Sequence, residues 1–83
     1  MEPMHDVYEL TSSMRVLLCM HNMSAVGLNS AKRIEDLTEV CGLSYADLEK
    51  ALKELTDFGY VIKGEHIYYL SSLGITVVRS VYT

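Results

Sequence analysis

The joint Gly42-Leu43-Ser44 constrains this chain more than any other feature, because it separates two stretches of helical periodicity by too few residues for anything but a tight turn. Before it, Ile34, Leu37, Thr38 and Cys41 recur at helical spacing, with Glu35 and Asp36 in the first turn, where the positive end of the helix dipole favours carboxylates. Gly42 can take the left-handed conformation that ends such a helix. Two starts are compatible with the residues: Ser30 caps a helix from Ala31, or residues 31–33 are extended and the helix starts at Ile34. After the joint, Ser44 to Asp47 spells a capping box, in which a serine hydroxyl and a carboxylate each satisfy a free backbone N–H. The helix that follows has Leu48, Ala51, Leu52, Leu55 and Phe58 as its apolar stripe, and Asp47, Lys50, Lys53, Glu54 and Asp57 face away. Gly59 stops it.

From Tyr60 the period changes to two, and the residues become β-branched and aromatic: Tyr60 to Lys63, then Gly64-Glu65, then His66 to Leu70. A hairpin turning at Gly64-Glu65 pairs Lys63 with His66. That register puts Tyr60, Ile62, Ile67 and Tyr69 on one face, expected to be the core face, and Val61, Lys63, His66 and Tyr68 on the wetter one. Ser71 or Ser72 then caps a last helix from Leu73 to about Tyr82, in which Gly74 either permits close packing or is tolerated in the first turn.

Two helices joined by so short a turn form a helix-turn-helix, and the hairpin after it is a wing. The run Arg33-Ile34-Glu35-Asp36-Leu37-Thr38-Glu39-Val40-Cys41-Gly42-Leu43-Ser44, then Leu48 and Leu52 to Leu55, then Phe58-Gly59-Tyr60-Val61, resembles the winged helix-turn-helix family of transcriptional regulators, such as the MarR and PadR kinds. Tyr68-Tyr69-Leu70-Ser71-Ser72-Leu73-Gly74 is similar to that family's tyrosine-leucine-threonine-x-x-glycine close of the wing. The expected fold is therefore mainly α (α+β): a three-helix core, a two-stranded wing and a C-terminal helix. It forms one domain over residues 1–83, with an N-terminal helix within 1–28, the helix-turn-helix at 31–59, the wing at 60–70 and the last helix at 72–83.

Eighty-three residues bury only about 60–65% of the unfolded chain's surface, so a partner surface would add usefully to stability. No run approaches the ~20 apolar residues of a membrane span. The longest candidate, Met14 to Met23, is broken by Arg15, His21 and Asn22. Residues 1–6 carry no positive n-region, so a cytoplasmic protein is expected. Cys19 and Cys41 occupy apolar positions on different helices and read as buried thiols; a redox pair is the alternative, but no neighbouring base in the sequence favours a low thiol pKa. His5, His21 and His66 are scattered, and with two isolated cysteines they do not make a zinc site. No metal and no cofactor are expected. Nor is an enzyme, for there is no nucleophile with an adjacent base, no phosphate loop and no paired carboxylates.

The first helix, read from Val7 to Met23, is apolar on two sides. Val7, Leu10, Met14, Leu17, Leu18 and His21 suit packing under the helix-turn-helix, while Val16, Cys19, Met20 and Met23 fall on another side. The last helix repeats the pattern, with Leu73, Val77 and Val81 on one side and Ile75, Val78 and Tyr82 spread round it. The expectation is a homodimer through Val16, Met20, Met23, Ile75, Val78 and Tyr82.

The resemblance implies duplex DNA as partner, with the second helix in the major groove and the wing on the adjoining backbone. It makes Ser44, Tyr45, Asp47 and Glu49 candidate base-reading positions, with Lys50 and Lys53 further along the same side. Lys32 and Arg33 before the motif, with Lys63 and His66 at the hairpin tip, form a phosphate-contacting rim, and Tyr68 stacks or donates to phosphate. The charge pulls the other way. The net charge is −4, and between Lys32 and His66 five bases stand against eight acids, whereas DNA affinity comes mainly from cation–phosphate contacts. Binding thus requires the charges to be segregated. The alternative is a winged-helix module with an acidic surface that docks another protein without binding DNA.

Overall fold

A computed structural model describes residues 11–82. In chain order it has α1 (Ser12–Asn22), a 3-10 turn (Leu28–Ser30), α2 (Ile34–Cys41), α3 (Tyr45–Asp57), β1 (Val61–Lys63), β2 (Tyr68–Leu70) and α4 (Ser72–Tyr82). This is a mostly helical chain with one antiparallel two-stranded sheet.

The first helix begins later than the apolar periodicity suggests. Thr11 has extended backbone, and its hydroxyl accepts the Met14 N–H at 3.1 Å, an N-cap that excludes a continuous helix through it. Val7 and Leu10 lie outside the described residues. The helix ends in a Schellman motif, with the Ser24 N–H on the His21 carbonyl at 3.0 Å and the Ala25 N–H on the Met20 carbonyl at 2.9 Å. The left-handed position of that motif is filled by a serine, Ser24, at φ 61°. The chain then reaches α2 through extended backbone: Lys32 and Tyr68 exchange both backbone hydrogen bonds, at 2.9 and 2.7 Å, a one-residue antiparallel bridge to the edge of β2. Of the two helix starts open in the sequence, the one at Ile34 is adopted. The Asp36 carboxylate accepts the Arg33 N–H at 3.3 Å.

Gly42, left-handed at φ 70°, ends α2, and Ser44 caps α3 by accepting the Asp47 N–H at 3.1 Å. At the other end of α3, Gly59 at φ 83° sits in a second Schellman motif, with its N–H on the Thr56 carbonyl at 3.0 Å and the Tyr60 N–H on the Leu55 carbonyl at 2.9 Å. Ser71 links the wing to α4. Its hydroxyl donates to the Gly59 carbonyl at 2.6 Å and accepts the Gly74 N–H at 3.0 Å, while its N–H reaches the Tyr60 carbonyl at 3.0 Å.

The core is assembled from Val16, Leu17 and Met20 of α1, Leu37 and Cys41 of α2, and Leu48, Ala51, Leu52 and Leu55 of α3. Ala25, Val61, Leu70 and Val78 close it. Three expectations change here. Phe58, assigned to the apolar stripe of α3, is 61% exposed and stacks on Tyr60 with ring centroids 5.8 Å apart, because the helix ends before it can turn inward. The hairpin pairs Val61 with Leu70, Ile62 with Tyr69 and Lys63 with Tyr68, so its tip is Glu65-His66, one residue later than expected. That shift preserves which residues share a face, but the core face is the one carrying Val61 and Leu70, and Ile62 points outward.

The third change concerns the expected dimer surface. Val16, Met20 and Val78 have at most 1% of their surface exposed within a single chain, so they have nothing left to offer a second copy. Met23 and Ile75 are half-buried. The apolar residues that α4 leaves exposed are Leu73 and Val81, with Val77 half-buried between them, the stripe assigned from sequence to the other side.

Candidate nucleic-acid interface

The exposed side of α3 and the wing enclose two adjoining grooves. The first, about 590 Å³, is lined by Ala46, Glu49, Lys50, Lys53, Thr56 and Asp57 of α3, with Lys63 and Tyr68 of the wing. The second, about 490 Å³, lies toward the hairpin tip, where Arg33, Tyr45, Lys63, His66 and Tyr68 meet Glu35, Glu49 and Glu65. Helical spacing explains the first wall: residues 46, 50, 53 and 57 follow one another by four, three and four, with 49 and 56 beside them, and so share one face. Strand pairing explains the second, since Lys63 and Tyr68 are cross-strand partners on one face of the hairpin.

The residues singled out from sequence therefore divide. Lys50, Lys53, Lys63 and Tyr68 come together around the first groove, and Arg33, Tyr45 and His66 join Lys63 and Tyr68 around the second. Tyr45 is 54% exposed at the first position of α3. Ser44 and Lys32 line neither groove: the Ser44 hydroxyl caps α3, and Lys32 contributes backbone to the edge of β2. Asp47 also lines neither. Ala46 and Thr56 were not singled out, and Asp57 was read only as part of the polar face of α3, although it stands one turn beyond Lys53 on the same stripe.

The electrostatics are mixed but partly sorted. Lys53 is paired with Asp57 at 3.2 Å and Arg33 with Glu35 at 3.7 Å; all four side chains are well exposed, so neither pair holds its cation firmly. Lys32, Lys50 and Lys63 make no ion pair among the described residues. Several acids point their oxygens elsewhere, Glu54 accepting from Ser13 of α1 and Asp36 from its own helix start. Glu49 stays between the grooves. Burial raises the Tyr68 phenol, and the Glu49 carboxylate raises it further, so the hydroxyl remains a protonated donor facing the groove.

No protein-family model matches the chain, and no curated protein does. Among solved structures it is similar to TubR from Bacillus megaterium pBM400, with a TM-score of 0.75 over 92% of this chain and 90% of that one, at 18% identity. The fold is a winged helix. In winged-helix terms α2 and α3 are the helix-turn-helix, β1 and β2 the wing, and the two grooves lie between the second helix of the motif and the wing. Likeness at this identity concerns the fold, so the MarR and PadR kinds stay a resemblance of sequence. No helix among the described residues is long and apolar enough to cross a membrane.

Proposed function

We propose that this winged helix is a small sequence-specific DNA-binding transcriptional regulator acting as a homodimer, with α3 in the major groove and the wing on the adjoining backbone. The observation that carries the reading is the gathering of Lys50, Lys53 and Lys63 with Tyr68 around one groove, in a chain whose net charge is −4. Three ammonium groups share this groove with two carboxylates, Glu49 and Asp57, and phosphates laid along it would draw on the positive excess through counterion release. Tyr45 opens α3 beside Arg33, where a hydroxyl donor reaches a base edge or phosphate, and His66 sits at the wing tip. Without an arginine in α3 there is no bidentate guanine fork, so specificity falls on Tyr45, Lys50 and Glu49, the last able to accept from a cytosine amino group. The second copy docks on α4, along the exposed Leu73 and Val81 and the half-buried Val77 between them.

Titrating the chain into a labelled pool of genomic DNA fragments, read by fluorescence anisotropy, tests this. Lys50→Glu and Lys63→Glu should each weaken binding, and Arg15→Glu, which makes the same charge change on α1, should not. Equal losses in all three would mean that net charge alone matters and that no surface is being read. Sedimentation of Val81→Asp should give a monomer where the parent chain gives a dimer.

A further inference from the structure

Away from the DNA-facing side, a groove of about 610 Å³ runs between α1 and α2, with Leu18 and Val40 in its apolar walls and Arg15, Cys19, Met23 and Cys41 also lining it. Arg15, Cys19 and Met23 follow one another by four on α1 and therefore form a single stripe. Cys41, the last residue of α2, lines the same groove beside Cys19, and the two thiols are near enough to influence one another. Two thiols from different helices thus converge in an open groove, with a thioether one turn further along. The cysteines are 22 positions apart in sequence, and only the packing of α1 on α2 brings them to one groove.

We propose that Cys19 and Cys41 form a two-thiolate site for the soft monovalent cation Cu(I), with the Met23 thioether as a third donor. The donor set decides the metal. Thiolate and thioether sulfurs select Cu(I) over hard ions, and a structural zinc needs four ligands, whereas the described residues contain no cluster of three histidine, cysteine or carboxylate side chains. Charge balance agrees. Cu(I) with two neutral thiols gives a bis-thiolate complex of charge −1 and two released protons; two copper–sulfur bonds replace two S–H bonds, and nothing is oxidised or reduced. The Arg15 guanidinium on the same groove wall compensates that negative charge.

The test uses the full chain, reduced and kept anaerobic, with Cu(I) presented as its complex with a chromophoric chelator such as bicinchoninate. The parent chain should take one equivalent per chain and bleach the complex, Cys19→Ser and Cys41→Ser should each leave the copper on the chelator, and Met23→Leu should bind several-fold more weakly. Unchanged far-ultraviolet circular dichroism shows that the variants are folded. Copper left on the chelator by the parent chain overturns the proposal, as does uptake that survives Cys19→Ser. Failure to take copper, together with loss of two hydrogens on treatment with a small disulfide, would identify a redox pair instead. Unaltered affinity in Met23→Leu removes the third donor.

Discussion

Replacing Gly74 with alanine asks whether α4 and the wing are as closely joined as the structure has them. A Cβ at position 74 would stand 2.1 Å from the Tyr60 carbonyl oxygen and 3.0 Å from its carbon. Relieving that contact needs a shift of more than about 1 Å toward ordinary van der Waals separation. The obstacle is backbone, and it is held from both sides: the Tyr60 carbonyl accepts the Ser71 N–H at 3.0 Å, and the Tyr60 N–H is bound to Leu55 at 2.9 Å. Overpacking against atoms that cannot rotate away falls at the upper end of the usual range, about 3 kcal/mol. Alanine's better helix propensity offsets about 1 kcal/mol of this. The net loss is about 2 kcal/mol, a large share of the roughly 4–12 kcal/mol that holds a domain of this size together. At about 4–8 °C per kcal/mol, the thermal midpoint should fall by about 8–16 °C, measured by circular dichroism and matched by a lower urea midpoint. A midpoint that stays put or rises, as for glycine in an open helix, would refute the close approach of α4 to the wing.

Three further outcomes follow from particular contacts. Ser24→Gly relieves a left-handed serine at φ 61° and should raise stability by about 0.5–1 kcal/mol, the roughly 1–2 kcal/mol of steric relief being partly offset by the freer unfolded chain; an unchanged thermal midpoint would contradict it. Asp57→Asn breaks an exposed ion pair, so thermal stability should hold while duplex DNA binds more tightly and with a salt slope steeper by about one unit per chain, because Lys53 is released toward phosphate. Burial, followed by the Cys19 thiol, pushes Cys41 up from 9.0 to about 12. A folded-state pKa raised in this way contributes stability that is whole below pH 9 and lost as pH rises toward 12. The urea midpoint should therefore fall more steeply between pH 9 and 11 in the parent chain than in Cys41→Ala, and parallel curves would show Cys41 to be solvated.

Much of this architecture was legible because glycine and serine mark its joints. Gly42 with Ser44, and Gly59, are read directly from sequence, since the left-handed and capping conformations they adopt are those that their side chains favour. Reading failed where another residue takes the same conformation. Thr11 caps α1 inside the apolar run, so the first helix looked longer, and left-handed His66 moves the hairpin tip one residue beyond Gly64-Glu65. Gly64 is instead small to make room, as a Cβ there would meet Ile67 at 2.9 Å. The inner faces of α1 and α4 were misjudged because both are apolar on two sides, and only the packing of α1 against α3, and of α4 against α1 and β2, determines that Val16, Met20 and Val78 turn inward. The lysines of the site were visible as helix and hairpin positions. That Lys63 and Tyr68 face Lys50 across one groove depends on the angle between α3 and the wing, which no local pattern encodes.

The central claim, that the groove between α3 and the wing is built for phosphate, is tested most directly by the salt dependence of duplex binding. Lys50 and Lys63 carry no ion pair among the described residues, so a dimer brings about four available cations to its grooves. At roughly 0.9 units of slope per phosphate contact, affinity should fall about a hundredfold between 50 and 200 mM salt. Lys50→Glu and Lys63→Glu should each flatten the slope. A folded dimer that binds no duplex at 50 mM salt, or binds with a slope these substitutions leave unchanged, would contradict the account and favour a winged helix that docks protein instead.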